Sequence, residues 1–261
     1  MNDLKSTPLI GKDLALGDLL KRASNEELNA LVEIVLSKEG ERYFHDDSAR
    51  QAIVKSRKQE TLHAATDSIA MEVCALGSNT IANAFRRGAS VSYDEVVRDV
   101  AKELKIEVRK STAASEVEHQ ILETLLSRVL EGKSKQEIEM LQSQGAGSVD
   151  AVLLNNARQA ANEPSIASQL LERLDPSQLS RLLGAKAGLV TNAASLAMLV
   201  SSRALPVVGA LAIGLSVASA FKRTAPALTV IVPAVVQIAF IRRRIIRDDC
   251  ETFFSILRAC L

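Results

Sequence analysis

Apolar residues recur at helical spacing through the first 183 residues, and polar helix-start signals separate the apolar stretches. Four stretches follow a Ser-x-x-Glu sequence, the pattern of a capping box: Ser24–Glu27, Ser92–Glu95, Ser115–Glu118 and Ser134–Glu137. In a capping box the Ser hydroxyl and the Glu carboxylate each accept from a backbone N–H group that lacks a helical partner. The pattern predicts an all-α protein built as a multi-helix bundle. No strand pattern is convincing, although the apolar run 228–232 is too short to assign by periodicity.

The longest helix predicted within residues 1–183 has a start, a stop and a polar stretch in its middle. It runs from Asp47 to Cys74 or Leu76, and Gly77 is the expected stop. Its middle, Lys55–Gln59, is strongly polar, so a break there is consistent with the pattern. Other helical patterns cover residues 13–40, as two helices, 149–161 and 165–174.

The C-terminal third contains a different kind of segment, an apolar helical hairpin. Its halves, Ala204–Phe221 and Thr224–Ile241, are 18 residues each and carry no charge. At 1.5 Å per residue, a helix of that length is just inside the range that crosses the hydrocarbon core of a bilayer. Prolines interrupt both halves, glycines interrupt the first, and Trp and Tyr are missing from their ends. The hairpin therefore fits either a membrane element or a buried protein core.

Small residues recur within this region and indicate close helix packing. The predicted packing residues are Gly184, Gly188, Gly209, Ala210, Gly214 and Ala218. Four-residue spacing of small side chains lets helix backbones approach closely, which is how helices associate in lipid. The same spacing also suits tightly packed helices in a soluble protein. Homo-oligomerisation through the hairpin is a further expectation.

Charge is segregated along the chain. Residues 184–261 contain nine basic and three acidic side chains, whereas residues 1–183 contain 23 basic and 28 acidic ones. Basic residues at the ends of an apolar segment meet anionic lipid headgroups favourably. The candidate lipid contacts are Arg203, Lys222, Arg223, Arg242, Arg243, Arg244 and Arg247. A solvated helix face is the alternative interpretation of the arginine run.

Residues that would support catalysis or cofactor binding do not form a recognisable motif. The three cysteines are too scattered for a metal site or a disulfide framework, and each of the three histidines lies near acidic residues at ordinary surface spacing. We therefore expect no catalytic residue, no cofactor and no metal. The chain has no Trp and 3% aromatic residues, so stacking platforms for nucleic acid are missing as well.

The predicted organisation has three parts: a soluble helical bundle (1–145), connecting helices (146–183) and the apolar hairpin with a basic C-terminal helix (184–261). The N-terminus lacks the apolar run and cleavage site of a secretory signal, so we expect a cytoplasmic protein. If the hairpin spans, the positive-inside bias places both of its ends in the cytoplasm. We expect the protein to be peripheral to, or inserted in, the inner membrane.

Two stretches resemble signatures of a known family. They are Gly77-Ser-Asn-Thr-Ile-Ala-Asn83, followed by Arg87-Gly88 and Tyr93, and Pro233-Ala-Val-Val-Gln-Ile-Ala239, followed by Arg242-Arg243. With Ala23-Ser-Asn-Glu-Glu-Leu28, they resemble the YaaW-like family of bacterial proteins, which is distantly grouped with ubiquinol-cytochrome c chaperones. The resemblance implies a helical, non-enzymatic and membrane-linked role, and it transfers no binding residue.

We therefore expect a non-enzymatic, membrane-associated helical protein that binds a protein partner and acts in assembly, in a chaperone-like role by resemblance. Two alternatives remain at this point. One is a membrane-perturbing or pore-forming effector whose hairpin inserts, and the other is a fully soluble interaction module.

Overall fold

The computed structural model describes residues 14–37, 47–78, 91–131, 136, 165–174 and 228–260. Eight α-helices and no strand occur within these ranges, which confirms the all-α prediction. The helices are α1 (Leu16–Lys21), α2 (Asn25–Val35), α3 (Asp47–Lys58), α4 (Thr66–Ser78), α5 (Tyr93–Glu103), α6 (Ala114–Leu130), α7 (Ile166–Arg173) and α8 (Leu228–Cys260). The first half of the predicted hairpin, all six of its packing residues and the predicted boundaries at 145 and 183 lie outside the described residues.

Two of the predicted capping boxes are present. At the start of α2 the Ser24 N–H donates to Glu27 Oε2 at 2.8 Å, and the Glu27 N–H donates to Ser24 Oγ at 3.2 Å. The start of α5 has the same reciprocal bonds between Ser92 and Glu95. These side chains satisfy backbone donors that the helix itself leaves unpaired. The box at Ser134–Glu137 lies outside the described residues.

The capping box predicted at Ser115–Glu118 is wrong. Helix α6 begins at Ala114 with Ala113 as its N-cap, and no side chain caps it. The Glu118 side chain is buried and binds residues of α5 and α8 instead. The Glu118 carboxylate therefore bonds to side chains in the core, although the local sequence pattern predicts a bond at the helix end.

The expected break in the helix that starts at Asp47 is also present. Helix α3 ends at Lys58, and Glu60 has a φ of 56°, a backbone conformation that cannot continue a right-handed helix. A 3₁₀ turn over Leu62–Ala65 then leads into α4. Leu62 and Ala65 are buried, so apolar contacts fix the turn on the core.

Helix α8 lies at the centre of the bundle. It contacts α1, α2, α4, α5 and α6, and every residue from Val230 to Arg242 is buried. A helix that is apolar on all sides must be surrounded, because any exposed side would leave apolar surface in water. The second half of the predicted hairpin is thus protein core from Val230 onward, in one apolar cluster with residues as early as Leu16. The helix also continues through Pro233, although a proline removes one i→i−4 hydrogen bond and its ring crowds the carbonyl group four residues earlier.

Gly77 is a packing residue and does not end its helix. Helix α4 continues through it to Ser78. A Cβ atom at Gly77 would lie 2.9 Å from Cγ1 of Val96 and closer still to Cγ2. The missing side chain therefore lets α4 and α5 approach closely, which corrects the expectation that Gly77 marks a stop.

The substitution Gly77→Ala should destabilise the fold by about 1–3 kcal/mol, because the added methyl group overpacks the contact with Val96. The matched control is Gly17→Ala, where the new Cβ would lie at an ordinary 3.6 Å from Asp67 Oδ1. The control should be neutral or stabilising by up to about 1 kcal/mol. Urea denaturation measures both free energies of unfolding. Equal effects of the two substitutions, or no recovery in the Gly77→Ala/Val96→Ala double variant, would contradict the packing role.

Candidate interaction site at the end of helix α8

A buried ion pair fixes the middle of α8 to α6. Arg242 Nε donates to Glu118 Oε2 at 2.8 Å, and the two side chains are 3% and 2% exposed. The Tyr93 hydroxyl donates to the other carboxylate oxygen, Oε1, at 2.9 Å. Arg242 Nη1 also donates to the carbonyl oxygen of Leu14 at 2.8 Å. One guanidinium and one carboxylate therefore join α8, α6, the start of α5 and the segment before α1.

Burial determines the electrostatics of this cluster. Removal from water raises the pKa of Glu118, while the Arg242 charge and the hydrogen bonds from Arg242 and Tyr93 oppose the rise. Burial also raises the pKa of Tyr93 well above its ordinary value, and the nearby Glu118 charge adds to the effect. Tyr93 therefore stays protonated at neutral pH and donates its hydroxyl proton to the carboxylate. A buried pair of this kind favours one arrangement of helices, since an unpaired partner would remain desolvated.

Arg244 forms a second junction, between α8 and α2. Its Nε and Nη2 atoms donate to the two carboxylate oxygens of Glu27 at 2.6 and 2.8 Å. Glu27 is the same residue that closes the capping box of α2, so one carboxylate serves both contacts. The hydrogen bond to Glu27 is the main cause of the raised pKa of Arg244. Arg244 also bonds Asp248 one turn along α8, at 2.6 Å.

The neighbouring contacts complete the attachment of α8. Arg243 donates to the carbonyl oxygen of Leu171 in α7, and burial lowers the pKa of this arginine. Arg22, which follows α1, forms an ion pair with Asp249, including a bond of 3.1 Å from Nη1 to Oδ2. The body of the protein therefore holds α8 as far as Asp249.

The structure assigns the predicted lipid-contact arginines to different surroundings. Arg242 is buried against Glu118, so in this arrangement its guanidinium does not face headgroups, contrary to the prediction for that residue. Arg243 and Arg244 are half-buried and bonded within the protein. Arg247 is exposed. Arg203, Lys222 and Arg223 lie outside the described residues, so their lipid contact stays a prediction.

Beyond these contacts the end of α8 extends into solvent. Every residue from Glu251 to Ala259 is exposed, and we call this segment the α8 tip. Four of its large apolar side chains are 43–58% exposed: Phe253, Phe254, Ile256 and Leu257. At 100° per residue they fall on one side of the helix, across about 160°. The other side is polar and consists of Glu251, Thr252, Ser255 and Arg258.

The aromatic residues of the tip also contact each other. The rings of Phe253 and Phe254 meet edge to face, with centroids 5.9 Å apart. Sequence reasoning missed this surface because the apolar run before it dominated the hydropathy pattern. The signal that could have found it is the apolar spacing at positions 253, 256 and 257, which continues the helical period past the last buried residue, Ile245.

The described ranges contain few other groups that could bind a metal or a ligand, react, or cross a membrane. No cluster of three metal-ligating side chains occurs there, and no helix there is long and apolar enough to cross a membrane. His63 Nε2 donates to the carbonyl oxygen of Ala23 at 2.8 Å, so this ring links the 3₁₀ turn to the segment between α1 and α2. Burial raises the pKa of Cys74 to about 11, which keeps its thiol protonated at neutral pH. An open cavity of about 440 Å³ along α3 is lined by Arg50, Gln51, Val54, Lys55, Lys58 and Gln59.

Comparison with known proteins adds a relative without a stated activity. No protein-family model and no solved structure match the chain. The chain is 30% identical over 123 residues to a UPF0174 protein of Helicobacter pylori strain J99. The aligned part is 47% of this chain and 48% of that relative, so the match spans about half of each protein. The similarity supports a relationship to an uncharacterised bacterial family.

Mutation of the Glu118–Arg242 ion pair tests how strongly this contact stabilises the attachment of α8. The substitution Glu118→Gln should lower the free energy of unfolding by about 3–5 kcal/mol, because it leaves the Arg242 charge buried without a counter-charge. The double variant Glu118→Leu/Arg242→Met should be more stable than either single variant, since it removes both charges together. Glu116→Gln, on the exposed side of the same helix, should change stability by less than about 0.5 kcal/mol.

Urea unfolding of the native chain, Glu118→Leu, Arg242→Met and the double variant gives the coupling free energy of the pair. Additive effects of the two single substitutions, or a Glu118→Gln loss no larger than that of Glu116→Gln, would show that the pair does not determine the position of α8.

Proposed function

We propose that this protein is a non-enzymatic interaction protein, whose helical body holds the α8 tip out as a docking segment for another protein. The observation that carries the proposal is the one-sided exposed apolar surface of the tip, with Phe253, Phe254, Ile256 and Leu257 at helical spacing. An amphipathic helix that places such residues in an apolar groove is a common mode of protein recognition. Aromatic side chains also contribute strongly at protein interfaces.

Charge favours a protein partner over an anionic lipid surface for this segment. From Arg247 to Arg258 the helix has two basic and three acidic side chains, a net charge of −1. A helix that lies on an anionic membrane normally has a strongly basic polar side. The arginines that precede the tip at 242–244 are engaged with Glu118, Leu171 and Glu27.

A role in assembly, chaperone-like in kind, is part of the proposal. It is supported by the sequence resemblance to the YaaW-like family and its distant chaperone grouping. The name of the Helicobacter pylori relative states no activity, so experiment must test that role. Membrane attachment through the hairpin is likewise a proposal, and it depends on residues 184–227, outside the described residues. A truncated chain ending at residue 183 is a poor test of it, because the truncation removes the buried part of α8.

Site-specific photocrosslinking in living cells tests the docking segment. A photoreactive phenylalanine at position 253 or 257 should give discrete protein adducts, because both positions lie on the apolar side of the tip. The matched controls are positions 252 and 255, which are also exposed and lie on the polar side of the same turns. Mass spectrometry identifies the adducts. Equal yields from both sides, or none from 253 and 257, would contradict the proposal.

Liposome flotation supplies the second arm of this test. If the tip binds protein, Phe253→Ser/Leu257→Ser should abolish the adducts of a photoreactive phenylalanine placed at position 256, and without the probe it should leave any co-flotation with anionic liposomes unchanged. Loss of co-flotation in that variant would instead assign the tip to lipid.

A further inference from the structure

We infer that the open cavity along α3 binds an amphiphilic anion, which is a single apolar chain that ends in a carboxylate or a phosphate. The cavity has a volume of about 440 Å³, within the range of about 300–1,000 Å³ that is typical of small-ligand pockets. No residue of the α8 tip lines this cavity, which is therefore separate from the proposed docking segment.

The cavity lies along the outer side of α3. Two rows of side chains, each at four-residue steps, line it: Arg50, Val54 and Lys58 in one, and Gln51, Lys55 and Gln59 in the other. Four residues are about one helical turn, so the side chains of each row lie one above another. The buried residues Ala49 and Ile53 lie on the opposite side of the helix and attach it to the core. The cavity therefore faces away from the core.

Two lysines give this surface its charge. Lys55 and Lys58 are exposed, and neither has a hydrogen-bond or ion-pair partner in the described part of the chain. They are three residues apart, so they are neighbours on the helix surface, where like charges repel. The nearby Arg57, by contrast, bonds Glu33 at 2.7 Å. The cavity has no acidic side chain among the described residues that line it, so the two ammonium groups are available to an anion.

The end of α3 compensates only part of this charge. A helix C-terminus carries a partial charge of about −0.5, which favours cations in the last turn. Lys55 and Lys58 each carry a full positive charge, so most of their charge remains for a ligand. Arg50 also lines the cavity but interacts within the chain, and its charge is not counted.

The rest of the lining is mainly apolar. Val54 is half-buried and lies beside both Lys55 and Lys58 on the helix surface. Lysine side chains place their methylene stems along apolar surface and keep the ammonium group in water. An inorganic anion would leave the apolar lining uncovered, and a neutral apolar molecule would leave the lysines without a counter-charge. A ligand that has both an apolar chain and an anionic head satisfies both parts of the cavity.

Isothermal titration calorimetry of the full chain with decanoate, kept below the concentration at which it forms micelles, tests this inference. Decanoate should bind one to one with a submillimolar Kd. Acetate has only the charged head and 1-decanol has only the chain, so each should bind at least roughly tenfold more weakly.

Removal of the two charges should weaken decanoate binding. Lys55→Gln/Lys58→Gln should raise its Kd roughly tenfold, because two opposite-charge contacts are lost. The matched control is Lys102→Gln/Lys110→Gln, which removes the same charge from two exposed positions outside the cavity and should leave the Kd unchanged.

A carboxylate in the middle of the cavity should abolish the binding. Val54→Glu adds a negative charge beside both lysines, whereas Ala52→Glu adds it at an exposed position of α3 that does not line the cavity. The Ala52→Glu control should change the Kd by less than roughly twofold, since a solvated charge at that distance is screened. Unchanged circular dichroism and melting temperature verify the fold of each variant.

Absence of decanoate binding, equal affinity for 1-decanol, or equal effects of either variant and its control would overturn the inference. Vesicles that contain phosphatidylglycerol supply the membrane probe. Co-flotation that depends on Lys55 and Lys58, without binding of dispersed decanoate, would also overturn it and would assign this side of α3 to a lipid surface.

Discussion

The position of α8 depends on one buried ion pair. Arg242 and Glu118 are removed from water at the centre of the bundle, where separating the charges would leave each of them desolvated. The buried apolar side chains of α8 interlock with their neighbours and resist sliding through their shape. A guanidinium that must meet one carboxylate, with a tyrosine hydroxyl on the other oxygen, allows only one register. The same contact therefore also sets the position and rotation of the rest of the helix, including its exposed tip.

Three successive arginines reach three different elements because consecutive helical residues point about 100° apart. Arg242 binds α6, Arg243 binds a carbonyl of α7, and Arg244 binds the capping carboxylate of α2. A central helix has neighbours on all sides, so a run of long cationic side chains at its last buried turn can serve several neighbours at once. The same run in an isolated sequence has the pattern of a headgroup-binding cluster. Whether such a run binds neighbouring helices or lipid headgroups depends on what surrounds the helix in the fold.

Local chemistry was predictable from the sequence, whereas long-range partners were not. The capping boxes of α2 and α5 depend on residues three positions apart, so the sequence pattern is sufficient to find them. The break after Lys58 is local as well. Glu118 satisfies the same local pattern, but Arg242, 124 residues away, binds it more favourably inside the core. The signal that was overlooked is that Glu118 lies on the apolar side of α6 with Ile121 and Leu122, where a carboxylate needs a partner. Burial of Val230–Ile241 was one of two open interpretations, because length and hydropathy are the same for a core helix and a membrane helix.

The central place of α8 also has a consequence for synthesis. This helix follows in sequence every helix that it packs against, and its ion pairs with Glu27 and Glu118 close loops of 217 and 124 residues. On the ribosome, the apolar sides of α2 and α6 therefore emerge long before the helix that covers them. Contacts between distant residues form late, and unfinished chains expose apolar surface meanwhile. The core of the nascent protein can therefore close only after α8 has been synthesised and has left the ribosome, and until then the apolar sides of α2 and α6 are open to other contacts.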